Sequence, residues 1–132
     1  MKSFLTLSTL LFLITTSAAI AQETPSRKYL LQGVLKQNVS AFQVQEITMP
    51  AGVSARKHMH PSPVVGYVVK GRVWFQIEGE DEKILKDGDA FYEPRNKPIL
   101  HFDNLSLKEP LTFVAIYLKE GTEENTRFIK DE

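Results

Sequence analysis

His58 and His60 are the residues best suited to chemistry in this 132-residue chain, which holds only one other histidine, His101. On an extended strand, side chains two positions apart point to the same face. The Cα atoms of His58 and His60 are then roughly 7 Å apart, two strand rises. Two imidazoles at that separation can lean onto one metal ion, with bonds of about 2.0–2.1 Å for zinc. If His101 converges on them from its distant segment, the three rings make a three-nitrogen site. Such a site suits a divalent transition metal (Fe, Zn, Mn, Ni or Cu) and does not select among them. With no carboxylate among its ligands, the ion would keep its full charge and favour an anionic ligand or a bound hydroxide. Open positions would remain for water, substrate or dioxygen. In the competing reading, the same histidines line a cavity and hold no metal.

Other residues share the histidines' strand faces. Arg56 has the parity of His58 and His60, and its planar fork could anchor a carboxylate or phosphate on a substrate. Val64, Gly66 and Val68 alternate along the next run, and the small Gly66 would leave room for a ligand. Trp74, Tyr67 and Tyr92 offer rings for stacking. Glu93, just before Pro94, reads as a strand end in solvent, or as an acid or base near the rim. Asp103 shares a face with His101. No Gly-rich phosphate loop and no cysteine nucleophile is present, and no serine sits in a strand-turn-helix context.

These residues must be positioned by strands, because no helical apolar period of useful length follows residue 22. Short runs rich in Val, Ile, Phe and Tyr are separated by Gly, Pro, Asn and Asp, which predicts an all-β domain. Strands are expected over Tyr29–Leu35, Phe42–Met49 and Ser54–His60, the last stopped by Pro61 and Pro63. Val64–Val69 and Arg72–Glu78 read as a hairpin turning at Lys70-Gly71. Lys83–Lys86, Ala90–Glu93, Ile99–Asp103 and Leu111–Leu118 supply further strands, and Thr126–Ile129 a final edge. Turns this close and even suit a sandwich or jelly roll.

The ends of the chain read differently. Met1-Lys2 is a short basic start, Phe4 to Ile14 is apolar, and Ala19-Ile20-Ala21 matches an A-x-A cleavage site. This pattern predicts a signal peptide over 1–21 and a periplasmic or secreted location, with no stable membrane span after cleavage. The remaining chain divides into an N-terminal segment with a first strand (22–41), a β-barrel (42–119) and a polar C-terminal segment (120–132). No cysteine is present, so disulfides and a lipid-modified cysteine are both excluded. Sixteen basic and sixteen acidic residues balance, and without a long basic run nucleic acid is a poor candidate partner and none is expected.

Residues 52–71 read Gly52-x5-His58-x-His60-x3-Val64-x6-Gly71, which resembles the first motif of the cupin superfamily, G-x5-H-x-H-x3-E-x6-G. Gly88-x5-Pro94 resembles the start of the second cupin motif, which continues with x-G-x2-H. The resemblance covers roughly Phe42 to Leu118. It implies a single-domain jelly-roll β-barrel with metal ligands inside it, a small-molecule ligand and, as in many cupins, a homodimer. The chain departs from the pattern at three places. Val64 stands at the glutamate position, Asn96 at a glycine, and Ile99 at the histidine, with His101 two residues later. Asn tolerates the left-handed backbone that glycine would supply. A two-residue shift keeps His101 on the same strand face, and a bulge near Lys97-Pro98 could restore its position. A cupin that binds a divalent metal and acts on a small molecule is the expected function, with oxygenase, isomerase and hydrolytic chemistry all compatible; a metal-free ligand-binding or sensing cupin is the alternative.

Overall fold

The computed structural model describes residues 24–130. The predicted signal peptide therefore lies outside the described residues. Among the described residues nine strands follow in order: β1 Ala41–Met49, β2 His58–Met59, β3 Val64–Lys70, β4 Arg72–Ile77, β5 Lys83–Lys86, β6 Ala90–Glu93, β7 Ile99–Asn104, β8 Leu111–Lys119 and β9 Arg127–Phe128. No helix is present among the described residues. The strands form two antiparallel sheets, ordered β1-β8-β3-β6 and β5-β4-β7-β2-β9. The barrel expected from the sequence is thus two facing sheets.

Period-two patterning dictates the core between them. β4 buries Val73, Phe75 and Ile77, while β8 buries Leu111, Phe113, Ala115 and Tyr117. Aromatic rings interdigitate across the gap: Phe91 from one sheet lies 5.1 Å from Phe102 of the other, and Phe102 lies 4.6 Å from Phe113. Each fully buried aliphatic residue, such as Val68, Ile99 or Leu111, contributes about 1.5–3 kcal/mol by leaving water.

Three expectations about strands change. The predicted hairpin at Lys70-Gly71 does not form: β3 pairs with β6 and β8, and β4 pairs with β5 and β7. Gly71, at φ 119°, instead carries the chain from one sheet to the other, and it also packs on Leu111. Two adjacent apolar runs with a glycine between them fit a hairpin or a sheet-to-sheet crossing equally well. Only the partners of β8 and β7 decide between the two.

Tyr29–Leu35 is not a strand. Without a ladder partner it runs extended along the outer face of the first sheet, where Leu31, Val34 and Leu35 border a groove with Val65, Tyr92 and Leu118. Ser54–His60 pairs only at His58–Met59 and through an isolated bridge from Ser54 to Asp103. Asn96 adopts φ 55°, the left-handed conformation expected of it.

Candidate metal centre and its cavity

The imidazole pair predicted from strand parity forms. His58 and His60 are buried, with 9% and 4% of their surfaces exposed, and their rings meet edge to face at a centroid distance of 4.9 Å. β2 holds His58, because its backbone is pinned between Ile99 of β7 and Phe128 of β9. His60 follows just beyond the strand, where Pro61 and Pro63 stop the ladder.

Backbone carbonyls set the tautomer of both rings. His58 Nδ1 lies 2.7 Å from the Arg56 carbonyl, and His60 Nδ1 lies 2.6 Å from the Asn125 carbonyl. A carbonyl only accepts, so each Nδ1 carries the proton and donates. Each Nε2 is left with its lone pair in the neutral ring. This is the arrangement that metal-ligating histidines use, with one nitrogen donating to a fixed acceptor and the other free for the metal.

A carboxylate completes the group. Glu93 Oε2 lies 3.0 Å from His60 Nε2, and each side chain is only 5% exposed. His58, His60 and Glu93 each present one donor atom, all within 4.8 Å of one another. Yet His60 Nε2 has no satisfied hydrogen bond in its neutral form. A lone pair facing a carboxylate at that distance is repulsive unless a cation, either a proton or a metal ion, stands between them. The buried unsatisfied nitrogen, the fixed tautomers and the donor set together fit a divalent transition metal.

The acid–base properties of the metal-free group follow from the same contacts. Burial pushes the His58 pKa down, and this outweighs the help from the Arg56 carbonyl and the Glu93 charge. Burial also acts to lower His60, but the hydrogen bond and charge of Glu93, with the Asn125 carbonyl, raise its pKa overall. Tyr117, 5.7 Å from the His60 ring, is raised by burial and by Glu93, so its phenol stays protonated; Thr126 hydrogen-bonds it.

Sequence reasoning expected no carboxylate among the ligands. Val64 occupies the position where the cupin motif has glutamate, and its partners in register are Glu93 on β6 and Tyr117 on β8. The carboxylate of this chain thus stands one strand across from the motif position. Directly opposed Cβ atoms are only about 4.5–5.5 Å apart, so a side chain at 93 reaches the region that one at 64 would serve. The reading of Glu93 as a solvated strand end is corrected: it is 4% exposed. Alternation within β6 was the signal that could have found it, since Glu93 shares a face with buried Phe91.

His101 does not join the group. Across β4 and β7, Gln76 faces His101 but Ile77 faces Ile99, so Leu100 is an extra residue. That bulge inverts parity. Ile99 points inward and is 1% exposed, while His101 turns to the outer face. There it stacks on Trp74 at 3.7 Å and bonds Asp103 through Nδ1 at 2.8 Å. The expected bulge at Lys97-Pro98 was meant to bring His101 in; the bulge at Leu100 sends it out.

The other predicted site residues divide. Arg56 borders the cavity beside the histidines. Val64 is inward but packs in the core and does not border the cavity. Gly66 leaves no room for a ligand, because a Cβ there would lie 2.0 Å from Cζ of Phe91, whose ring already fills the space.

The cavity above the donor group measures about 360 Å³, within the usual range for small-molecule sites. Its wall is mainly apolar, with Ile47, Met49, Phe102, Phe113 and Ala115 facing the polar cluster. The C-terminal segment forms the remaining side. Thr126 and Phe128 line it, the Ile129 amide donates to the Lys57 carbonyl, and Arg95 holds Glu123 at 2.7 Å. Sequence alone assigned this polar segment no part in the site.

Two facing antiparallel sheets with histidine and carboxylate side chains gathered in the cavity between them define a class of β proteins. Within that class, residues 45–117 match the family model described as "Cupin domain", and the chain belongs to the cupin family. Solved structures share the fold. DMSP lyase DddQ from Ruegeria pomeroyi superposes with a TM-score of 0.57 at 22% identity, covering 66% of this chain and 42% of the lyase. A cupin-like protein from Thermotoga maritima gives 0.56 at 24% identity, covering 67% and 64%. Oxalate decarboxylase from Bacillus subtilis gives 0.58 at 19% identity, covering 67% and 24%. This chain therefore spans less than two thirds of each of these proteins. No curated protein matches the chain.

Proposed function

We propose that this cupin binds a divalent transition metal through His58, His60 and Glu93 and acts on a small organic molecule held in the adjoining cavity. One observation carries the reading: two buried imidazoles, each with Nδ1 committed to a backbone carbonyl, share one point with a buried carboxylate. A metal there would supply Lewis acidity and positions for exchangeable ligands. The chain's own residues orient the imidazoles, keep the Tyr117 phenol protonated beside His60, and exclude water with apolar walls. The structural neighbours include a lyase and a decarboxylase, and the fold hosts catalysis in those proteins; the reaction itself is not carried over from them. The signal-peptide pattern supports action in the periplasm or outside the cell. The apolar outer face of the first sheet, where Phe42 is 75% and Val44 55% exposed, supports a homodimer.

A metal-free ligand-binding protein is the second reading. It is favoured by the raised His60 pKa, which lets His60 and Glu93 close the site as a protonated pair. Elemental analysis of the native protein, purified without a histidine tag, separates the two. The metal reading expects near-stoichiometric metal that disappears in the His58→Ala, His60→Ala double variant. Metal-free protein whose melting temperature ignores added zinc, iron or manganese would overturn it.

A further inference from the structure

We infer that the ligand is an amphiphilic monoanion, with an apolar body inside the cavity and a carboxylate held by Arg56 at its mouth. The inference rests on the cavity being the ligand chamber, as proposed above, but does not require the metal. Three observations carry it.

The first is shape and lining. About 360 Å³ corresponds to roughly a dozen water volumes, so the occupant has about that many non-hydrogen atoms. Ile47, Met49, Phe102 and Phe113 give it an apolar environment with few polar partners.

The second is polarity along the depth. The donor cluster is 4–9% exposed, whereas Phe128, the register partner of His58, is 57% exposed and the neighbouring Arg56 is exposed as well. A ligand that fills the apolar chamber and reaches its exposed rim therefore meets a cation there.

The third is the state of that cation. The Arg56 guanidinium lies 4.4 Å above the centre of the Phe128 ring. Stacking occupies one face of the plane and leaves the N–H edge available. Among the described residues no carboxylate pairs with it, in contrast to Arg95 and Arg127, which both pair with glutamates. A pre-oriented guanidinium at the lip of an apolar chamber matches a carboxylate, which it can hold through two parallel hydrogen bonds. Arg56 is the one arginine or lysine among the residues that line the cavity, so the ligand's carboxylate belongs at the lip.

The test compares 3-phenylpropionate with its neutral amide, 3-phenylpropanamide, by titration calorimetry. The full-length protein is used both zinc-loaded and after chelator treatment. The acid is expected to bind about tenfold more tightly than the amide in both preparations, the lower end for a charge-assisted bond at a water-exposed position. Arg56→Gln should abolish that preference, bringing the acid's affinity level with the amide's; Arg56→Lys should retain only part of it. Equal affinity for acid and amide in the unaltered protein would overturn the inference, as would a preference that survives Arg56→Gln. So would acid binding that vanishes with the metal and ignores Arg56→Gln, because the carboxylate would then sit on the ion. Failure of the metal proposal shows up separately, as absent metal with the Arg56-dependent preference intact.

Discussion

Glu93→Gln isolates the role of the displaced carboxylate. The substitution keeps size and shape but removes the charge and one strong donor of the three. Loss of partners that merely orient a ligand lowers metal affinity about 10- to 100-fold. Removing a direct donor from a site this buried should reach at least the top of that range, about 100-fold, or about 2.7 kcal/mol. Competitive zinc titration against a chromogenic chelator measures it.

The same variant has a second signature in the metal-free protein. His60 is raised above its ordinary value by Glu93, so its contribution to stability is present at low pH and fades as pH rises through the folded-state pKa. His58 has the opposite sign: burial lowers its pKa, and its neutral form is favoured as pH rises. Without the Glu93 charge, burial governs both rings. Metal-free Glu93→Gln should therefore lose on the order of 2 kcal/mol near about pH 5.5. It should recover by about pH 8, where the introduced side-chain amide can donate to the His60 lone pair. Zinc affinity within about threefold of the unaltered protein, or a stability loss with the same size at both pH values, would refute the assignment of Glu93.

Three further outcomes follow from the geometry. His101→Ala should leave metal content unchanged and cost about 1 kcal/mol in urea unfolding, the loss of a half-exposed stack on Trp74; loss of metal would return His101 to the site. Gly66→Ala should destabilise by about 1–3 kcal/mol, because Phe91 is hemmed in by Phe75, Phe102 and Phe113 and cannot retreat; an unchanged unfolding midpoint would contradict the packing. Deleting residues 121–132 removes the carbonyl that orients His60 and should weaken zinc binding about 10- to 100-fold, measured by the same chelator competition. Full affinity in the shortened chain would show that the segment only covers the site.

Local periodicity made the histidine pair and the strands legible. His58 and His60 are two residues apart, and no tertiary context is needed to place them on one face. Alternation likewise set Val73, Phe75 and Ile77 of β4 on one face, and the left-handed turn was readable at Asn96. Parity failed where the ladder gained a residue: Leu100 inverts every inference drawn across it, and a bulge is a property of two strands in register, invisible in one. The Gly71 crossing failed for the same reason, since a turn does not announce whether the strands on either side of it pair.

The chain's own order of residues thus determined the β class, the paired imidazoles and the cupin family, because each follows from spacing along a single segment. Tertiary structure decided the third donor, the fate of His101 and the closure of the cavity by the C-terminal segment. Glu93 and Val64 are 29 positions apart in sequence yet opposed across a ladder, and Asn125 meets His60 from 65 positions away. Those distances are closed only by strand pairing between sheet neighbours, which depends on the whole core.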